Sequence, residues 1–388
     1  MIEQDIDKIN ESNLLSLINN GEPEGKTIEY KEFLPDNTDK NKLNFLAEVS
    51  AFANSAGGDL LIGIVEENGI AIDLKGVNNN NIDQEKLRLE EIIRYGISPK
   101  IPNIIIKAIE LKNKNYIFLI RIPQSWISPH RVVFKGHDKF YARNSGGKYS
   151  MDVDELRISF NLSGTIKERI SNFRMERISK ILSNDTLLPL ESGPKIILHL
   201  MPLRSFSQNE YYDINQIVIP HNQLQPLNGP YHYWKYNFDG IIAFCESSNS
   251  IRSYVQLYRN GNIEAVEASL LKPYDEQLLL PMHNVEKTII DSIPGYLQIL
   301  KLLKIFPPFF LFITLIDIKG YFLISRSILK NEDHKIDRDI LLLPELIIER
   351  YEEVVETILK SSFDFIWNSA GYKESLNYDK NNKWNPYG

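Results

Sequence analysis

Apolar and polar positions follow two rhythms along this chain, and each change of rhythm marks an element. Over residues 3–20, Leu14, Leu15, Leu17 and Ile18 form one face of an amphipathic helix. Residues 27–33 alternate as a strand. Residues 41–54 return to helical spacing, and Leu43, Leu46, Ala47, Ser50 and Ala51 give that helix a small-residue face suited to close packing. Asn54 and Gly57-Gly58 punctuate its end, because both residue types accept left-handed backbone. An apolar strand is expected next, over 59–65, and a helix over 83–97. Residues 104–111 and 116–122 pair as a hairpin across Lys112-Asn113-Lys114-Asn115, and a short strand at 140–143 runs into a turn at Asn144-Ser145-Gly146-Gly147.

The second half opens with a basic amphipathic helix over 165–182, which carries Arg174 and Arg177. Polar stretches at 183–194 mark a boundary. Strands are expected at 195–201, 240–244, 253–258 and 262–268, the last two joined by the tight turn that Asn260-Gly261 favours. The pattern then predicts a helix at 284–303 interrupted by Pro294-Gly295, a hairpin over 308–325 across Lys319-Gly320, and a long helix over 344–369. A polar, loose tail fills 373–388. The fold class predicted is α/β in the first half followed by an α+β domain, with domains at 1–163 and 188–372 joined by a helical connector at 164–187. A length of 388 residues suits two domains.

Composition narrows the class. Hydrophobic residues make up 43% and charged residues 24%, enough for globular cores. Cys245 is the single cysteine, which excludes an intrachain disulfide and zinc sites built on cysteine pairs, and reads as a buried structural thiol. The apolar run at 305–316 contains Pro307-Pro308 and is too short to span a membrane. With an acidic N-terminus and no apolar signal region, no membrane contact and a cytoplasmic location are the expectation.

Net charge is −7, which argues against a protein that coats nucleic acid generally. Its distribution changes the picture: residues 1–100 hold 19 acidic against 10 basic side chains, and residues 101–150 hold 9 basic against 2 acidic. The acidic part suits a metal ion and the basic part a phosphate backbone, with ordinary charge scatter as the plain alternative. Within the acidic part, Glu24-Gly-Lys-Thr-Ile-Glu29-Tyr30-Lys31 sets Glu29 and Lys31 on one face of a strand and Tyr30 on the other. Carboxylates bind hard cations such as Mg²⁺, a bound metal polarises a phosphoryl oxygen, and a lysine beside it stabilises developing negative charge. Glu24 reaches the same cation from before the strand, and Glu66 or Glu67 is the candidate third acid. The alternative is an exposed strand with alternating charges. In the basic part Arg121, Arg131, Lys135, Lys139, Arg143 and Lys148 are interleaved with Trp126, Phe134, Phe140 and Tyr141, the mixture that neutralises phosphates and stacks on unpaired bases. His130 and His137 read as surface loop histidines. The aromatic run at 231–238 reads as core or interface, and His199, His221, His232, His283 and His334 have no ligand-like spacing.

Three segments occur in a telling order: Glu24-x4-Glu29-Tyr30-Lys31; Ala51-Phe52-Ala53-Asn54-Ser55-Ala56-Gly57-Gly58 with Leu60-Leu61-Ile62-Gly63-Ile64; and Phe140-Tyr141-Ala142-Arg143-Asn144-Ser145-Gly146-Gly147-Lys148 leading to Glu155-Leu156-Arg157. Together they resemble the Schlafen AlbA_2 family over about residues 10–160. The resemblance implies a small α/β sandwich. It also implies a nucleic-acid-binding protein and a divalent-metal-dependent endoribonuclease of Schlafen type. Such an enzyme would use Mg²⁺ or Mn²⁺ on structured RNA such as tRNA, RNA rather than DNA, in stress or phage defence. In that family two glutamates and an aspartate near the end of the Gly-Gly strand form the centre. By resemblance Glu24 and Glu29 fill the first two roles beside Lys31. The family often reads Gly-Val-Asp-Asp where this chain reads Gly63-Ile64-Val65-Glu66-Glu67, so Glu66 or Glu67 would have to replace the missing aspartate. No phosphate loop is present, so ATP is not expected. The alternative is a non-catalytic DNA- or RNA-binding regulatory protein, and a more distant one is a scaffold whose second half senses a ligand. Animal-type Schlafen cores pair two such lobes. A single motif set here therefore predicts a homodimer, with apolar surface at 308–325 and 344–369 as the contact.

Overall fold

Helix α1 (Glu11–Asn19) begins where Asn10 and Asn13 exchange side-chain-to-backbone bonds, a reciprocal cap that fixes its start. The helix expected over 3–20 is accordingly shorter, and Ile6–Lys8 form a 3-10 turn ahead of it. The computed structural model describes every residue except 3, 5, 80, 187, 208–211, 214–223, 230–232, 248–249, 274–276, 325–333, 352 and 386–388, and only the backbone of 162 and 163. The chain divides into two compact units, Met1–Thr165 and Ile166–Gly388.

In the first unit β1 (Ile28–Lys31) leads to α2 (Asp39–Asn54), whose start is capped by Thr38 accepting from the Asn41 amide. Strand β2 (Gly58–Ile62) follows, then a hairpin of β3 (Val65–Glu67) and β4 (Ile70–Asp73). Helix α3 (Ile82–Gly96) leads through β5 (Ile97–Ser98) to the hairpin of β6 (Ile105–Glu110) and β7 (Tyr116–Ile122). Strands β8 (Arg131–Val132), β9 (Lys139–Asn144) and β10 (Gly147–Ser150) close the unit. One mixed sheet has the order β1-β2-β7-β6, with β1 parallel to β2, and a second has the order β10-β9-β8-β5. The Gly57-Gly58 pair is required here. Gly57 has φ +71°, and a Cβ on Gly58 would stand 2.4 Å from the Phe52 ring.

Strand alternation decides what faces the site. Tyr30 and its register partner Leu61 point to a core with Ile6, Ile9 and Leu14. Leu60 and Ile62 point to the opposite core with Phe45, Val49 and Phe52 of α2. Glu29 pairs in register with Leu60, so Glu29 and Lys31 face α2. The apolar strand stops at Ile62 rather than at 65: Gly63 has φ +106° and turns the chain out of the sheet into β3.

Helix α4 (Val153–Leu182) passes the unit boundary and is longer than the expected 165–182 segment. The second unit then runs through β11 (Lys195–Pro202), a short α5 (Arg204–Ser207), β12 (Tyr233–Tyr236), β13 (Gly240–Glu246), β14 (Ile251–Tyr258) and β15 (Ile263–Glu267). It continues with β16 (Leu279–Pro281), α6 (Met282–Leu302), β17 (Phe309–Ile316), β18 (Phe322–Ile324), β19 (Ile340–Leu342), β20 (Leu346–Ile348) and α7 (Val355–Asn368). A large antiparallel sheet has the order β12-β13-β14-β15-β11-β17-β19, with β20 also on β17. The fold class predicted from the pattern, an α/β unit followed by an α+β unit, is the one observed. No helix among the described residues is long and apolar enough to cross a membrane.

Several expectations for this unit change. The hairpin over 308–325 does not form. Strand β17 is buried at every position and takes partners on both sides, β11 and then β19 with β20, while β18 lies parallel to β16. The helix over 344–369 starts only at Val355, because Leu346-Ile347-Ile348 joins the sheet. Helix α6 runs through Pro294. The break costs about 3 kcal/mol, and burial of Ile289, Ile293, Tyr296, Leu297 and Leu300 around it, at about 1.5–3 kcal/mol each, outweighs that. Much of the apolar surface at 308–325 and 344–369 lies in the unit's own core, while Val354 and Phe365 stay exposed. The basic helix turns its arginines inward. Arg177 Nε and Nη2 donate to buried Glu264 at 2.8 and 2.9 Å, and Arg174 donates to Thr314 Oγ1 at 2.9 Å. Residues of the expected tail are also held. Trp367, Ser375, Asn377 and Trp384 all donate to the buried carboxylate of Glu286, at 2.8 to 2.9 Å. His221, His232 and Tyr231 lie outside the described residues.

Candidate functional site

Lys31 ends β1, and the chain beyond it lines a cavity of ≈ 760 Å³. Other walls are Glu24 ahead of β1, Asn41, Asn44 and Glu48 on α2, and the β9–β10 turn from Ser145 to Lys148. Glu48 is a charged residue at a buried position of α2, on the side that meets β1.

Five side chains form a ladder of alternating charge across this cavity. Lys31 pairs with Glu29, Glu29 with Arg143, Arg143 with Glu48 at 2.9 Å, and Glu48 with Lys148. The two carboxylates and the guanidinium are buried, while Lys31 and Lys148 at the ends are 45% and 27% exposed. Counted together the five carry one net positive charge. Arg143 does more than neutralise. Its Nε donates to the Gly25 carbonyl at 2.8 Å, its Nη2 to that of Ile28 at 3.3 Å, and its guanidinium lies 4.5 Å from the Phe52 ring centroid. One planar side chain therefore ties the first motif, the α2 motif and the β9 motif together.

The electrostatics follow the ladder. Burial opposes the charge of Glu29, but Lys31 and then Arg143 outweigh it and hold the carboxyl below its ordinary range. Burial likewise opposes the charge of Lys31, and Glu29, Glu48 and Glu24 more than offset it, so the ammonium titrates higher than usual. Glu24 goes the other way. Burial pushes its carboxyl up; the Tyr30 amide, donating at 2.8 Å, opposes this, and the charges of Glu29 and Glu66 add to it.

The structure brings Glu24, Glu29, Lys31, Arg143 and Lys148 to one cavity and leaves the other sequence candidates elsewhere. Glu66 accepts from the Gly69 amide at 2.6 Å within its own hairpin, and Glu67 is exposed on β3. Arg121 is committed to buried Asp59 at 2.8 Å and to the carbonyls of Ile2 and Gln4, so it fastens the N-terminal segment instead of an open surface. Arg131 pairs with Asp138, Lys135 pairs with Asp39, and Lys139 is exposed on β9. His130, expected on a surface loop, is fully buried. Its Nδ1 lies 2.8 Å from the Pro99 carbonyl oxygen, and its backbone is clamped by Asn54, which accepts from His130 N at 2.6 Å and donates to His130 O at 2.9 Å. His137 meets the Tyr141 hydroxyl at 2.7 Å. Sequence reasoning missed Glu48. The signal was there: a lone carboxylate inside the run Leu46-Ala47-Glu48-Val49-Ser50-Ala51, where helical phase buries almost every position.

A three-carboxylate metal centre would require these side chains to change partners. Lys31 takes one oxygen of Glu29 and Arg143 the other, and Glu66 is spent on its own turn. Among the described residues no group of three or more His, Cys, Asp or Glu side chains stands together as a metal cage.

Residues 24–152 match the Schlafen, AlbA_2 family, and the chain carries a Schlafen AlbA_2 domain there. No curated protein matches the chain. Among solved structures, the DIP2311 protein of Corynebacterium diphtheriae is 17% identical with a TM-score of 0.25, over 36% of this chain and 27% of that one. The N-terminal domain of a RecG-related protein of Nitrosomonas europaea is 18% identical with a TM-score of 0.28, over 37% of this chain and 94% of that domain. At these TM-scores neither likeness bears on what this chain does.

Proposed function

We propose that the Schlafen AlbA_2 domain of this chain binds nucleic acid at the cavity beside β1. The observation that carries this reading is the charge ladder. Its buried members neutralise one another, and the two terminal lysines stay within reach of solvent on either side of the cavity. A phosphate placed between them replaces water without stranding a buried charge. Gly147, with φ +107° and nothing within 4 Å of where a Cβ would stand, leaves the neighbouring backbone open to a close approach. Lys139, exposed on β9, and Arg131 and Lys135, in exposed pairs that a phosphate can displace, lie outside the cavity and are further candidates for phosphate contacts. The test is fluorescence polarisation of labelled RNA and DNA across a salt series. Binding should weaken steeply with salt, and Lys31→Ala and Lys148→Ala should each lower the slope by about 0.7 for a single strand. A salt-independent signal, or wild-type slopes in both variants, refutes the reading.

RNA as the preferred partner is a finer part of the same proposal, tested by RNA and DNA of one sequence in that assay. Pairing of two copies to give a folded RNA a second wall is another, and a mass equal to the chain's 44.9 kDa in sedimentation across micromolar concentrations ends it. A second reading is metal-dependent RNA cleavage with Mg²⁺ or Mn²⁺. It rests on Glu24 at the cavity wall, whose carboxyl is pushed up by burial with the charges of Glu29 and Glu66 adding to it, a load that a cation would relieve. It requires Lys31 to leave Glu29. Total RNA incubated with either metal and with chelator tests it, and intact RNA in every lane rules it out.

A further inference from the structure

Phe33 lies two residues past the end of β1, on the wall of the cavity, with 68% of its surface in water. A single exposed phenylalanine is ordinary on a protein surface. This one is held. The Lys75 ammonium sits 5.1 Å from its ring centroid, and Lys75 is in turn paired with Glu32 at 2.5 Å. A cation braced against an aromatic ring keeps the ring in place before any ligand arrives, which lowers the ordering cost of stacking on it. Asn44 and Lys31 line the same cavity. Its volume, ≈ 760 Å³, falls within the range of pockets that enclose one small organic molecule.

We propose that Phe33 is a stacking platform for one unpaired base, so that the cavity seats a single nucleotide of a single-stranded segment. The inference rests on the nucleic-acid reading of the same cavity and sharpens its substrate class. The ring offers a π-face that any base can cover, the amide of Asn44 suits a base edge, and Lys31 serves the adjoining phosphate. A base within a duplex has both faces already stacked and reaches the ring only by leaving the helix.

The experiment uses the full chain with three labelled probes of one sequence: single-stranded RNA, single-stranded DNA and a blunt RNA duplex. A 2-aminopurine in the single strands reports stacking through its quenching. Wild type should prefer single strands to duplex and quench the probe. Phe33→Ala should lose about tenfold or more in single-strand affinity and lose the quenching. Its salt slope should stay unchanged, because no phosphate contact is removed, and Phe33→Trp should restore both affinity and quenching. Unchanged affinity in Phe33→Ala, or duplex bound as tightly as single strand, overturns the proposal while leaving nucleic-acid binding in place. Failure of wild type to bind any probe overturns the binding reading and this inference with it.

Discussion

Replacing Arg143 with Met should unfasten the first unit more than any other single change at the site. The guanidinium is 1% exposed, between carboxylates of Glu29 and Glu48 that are 8% and 6% exposed. Removing one partner of a buried pair costs about 3–5 kcal/mol, because the other charge stays behind without compensation. Here two charges stay behind, but Lys31 and Lys148 still hold one each, so the lower end, about 3 kcal/mol, is expected. Met restores most of the contact with Phe52 and keeps loss of packing from dominating. For a unit of this size that is a fall of roughly 6–12 °C in its own transition. Arg143→Lys should also destabilise, since an ammonium cannot span both carboxylates and the Gly25 carbonyl. Two units can unfold separately. The assay is therefore hydrogen exchange in the intact chain, followed on peptides covering 24–31 and 42–55. The effect should also depend on pH. The folded-state value of Glu29 lies below its ordinary 4.5, so its pairing contributes fully above that pH and is lost as pH falls through the folded value. The difference between wild type and Arg143→Met should narrow on acidification accordingly. A loss under about 1 kcal/mol at neutral pH, or one that does not narrow in acid, would refute the ladder as a unit of stability.

Charge reversal at Arg131, Lys135 and Lys139 together should weaken RNA binding and flatten its salt slope without changing thermal stability, since these groups are exposed or in exposed pairs; unchanged affinity would place the basic surface away from the ligand. Burial holds His130 below its ordinary 6.5 although the Pro99 contact works the other way, so the unfolded chain takes up the proton first and stability should fall as pH drops below about 6.5. A His130→Gln variant that keeps the full acid response in exchange of the 128–132 backbone would contradict that assignment. Glu286→Gln places an amide against two of the four donors converging there and should cost about 1–3 kcal/mol, exposing 373–385 to proteolysis; a tail as resistant as wild type would show that the carboxylate does not hold it.

The elements around the site were legible in the sequence because each carries a local signal. Glu29 and Lys31 alternate with Tyr30, Gly57-Gly58 allows a turn and a close approach, and Lys112 to Asn115 separates two apolar strands. What was not legible depends on partners distant in the chain. Phe309–Ile316 and Phe322–Ile324 look like a hairpin locally, but a strand buried on every side chain needs two neighbours, and β11 is more than a hundred residues earlier. Arg121 and Arg143 look like surface cations in a basic segment. Asp59, Glu29 and Glu48 turn both into internal ties, and those acids come from the stretch whose charge is opposite. The charge asymmetry between 1–100 and 101–150 thus reflects, in part, a fold that pairs one stretch with the other.

The same pairing decides how the third acid should be weighed. A strand continuing to 65 would have carried Glu66 and Glu67 along the edge beside Glu29. Gly63 instead turns the chain away at Ile62, and the β3–β4 hairpin that follows bends back so that Gly69 O accepts from Glu24 N at 2.6 Å. Glu66 is then used to close that turn by accepting from Gly69 N. The hairpin brings backbone to Glu24 and leaves Glu66 near enough to raise its carboxyl, while Glu66 itself is engaged by the Gly69 amide. A carboxylate at position 65 would begin β3 itself, directly after the turn, where Val65 is now half-buried. Val65→Asp, combined with Lys31→Ala to release an oxygen of Glu29, therefore separates the two readings of this cavity. If metal-dependent cleavage belongs to this cavity and lacks only the acid at 65, the double variant should gain chelator-sensitive cleavage of RNA that it binds more weakly than wild type. If binding alone is its role, it should lose affinity through Lys31 and gain nothing.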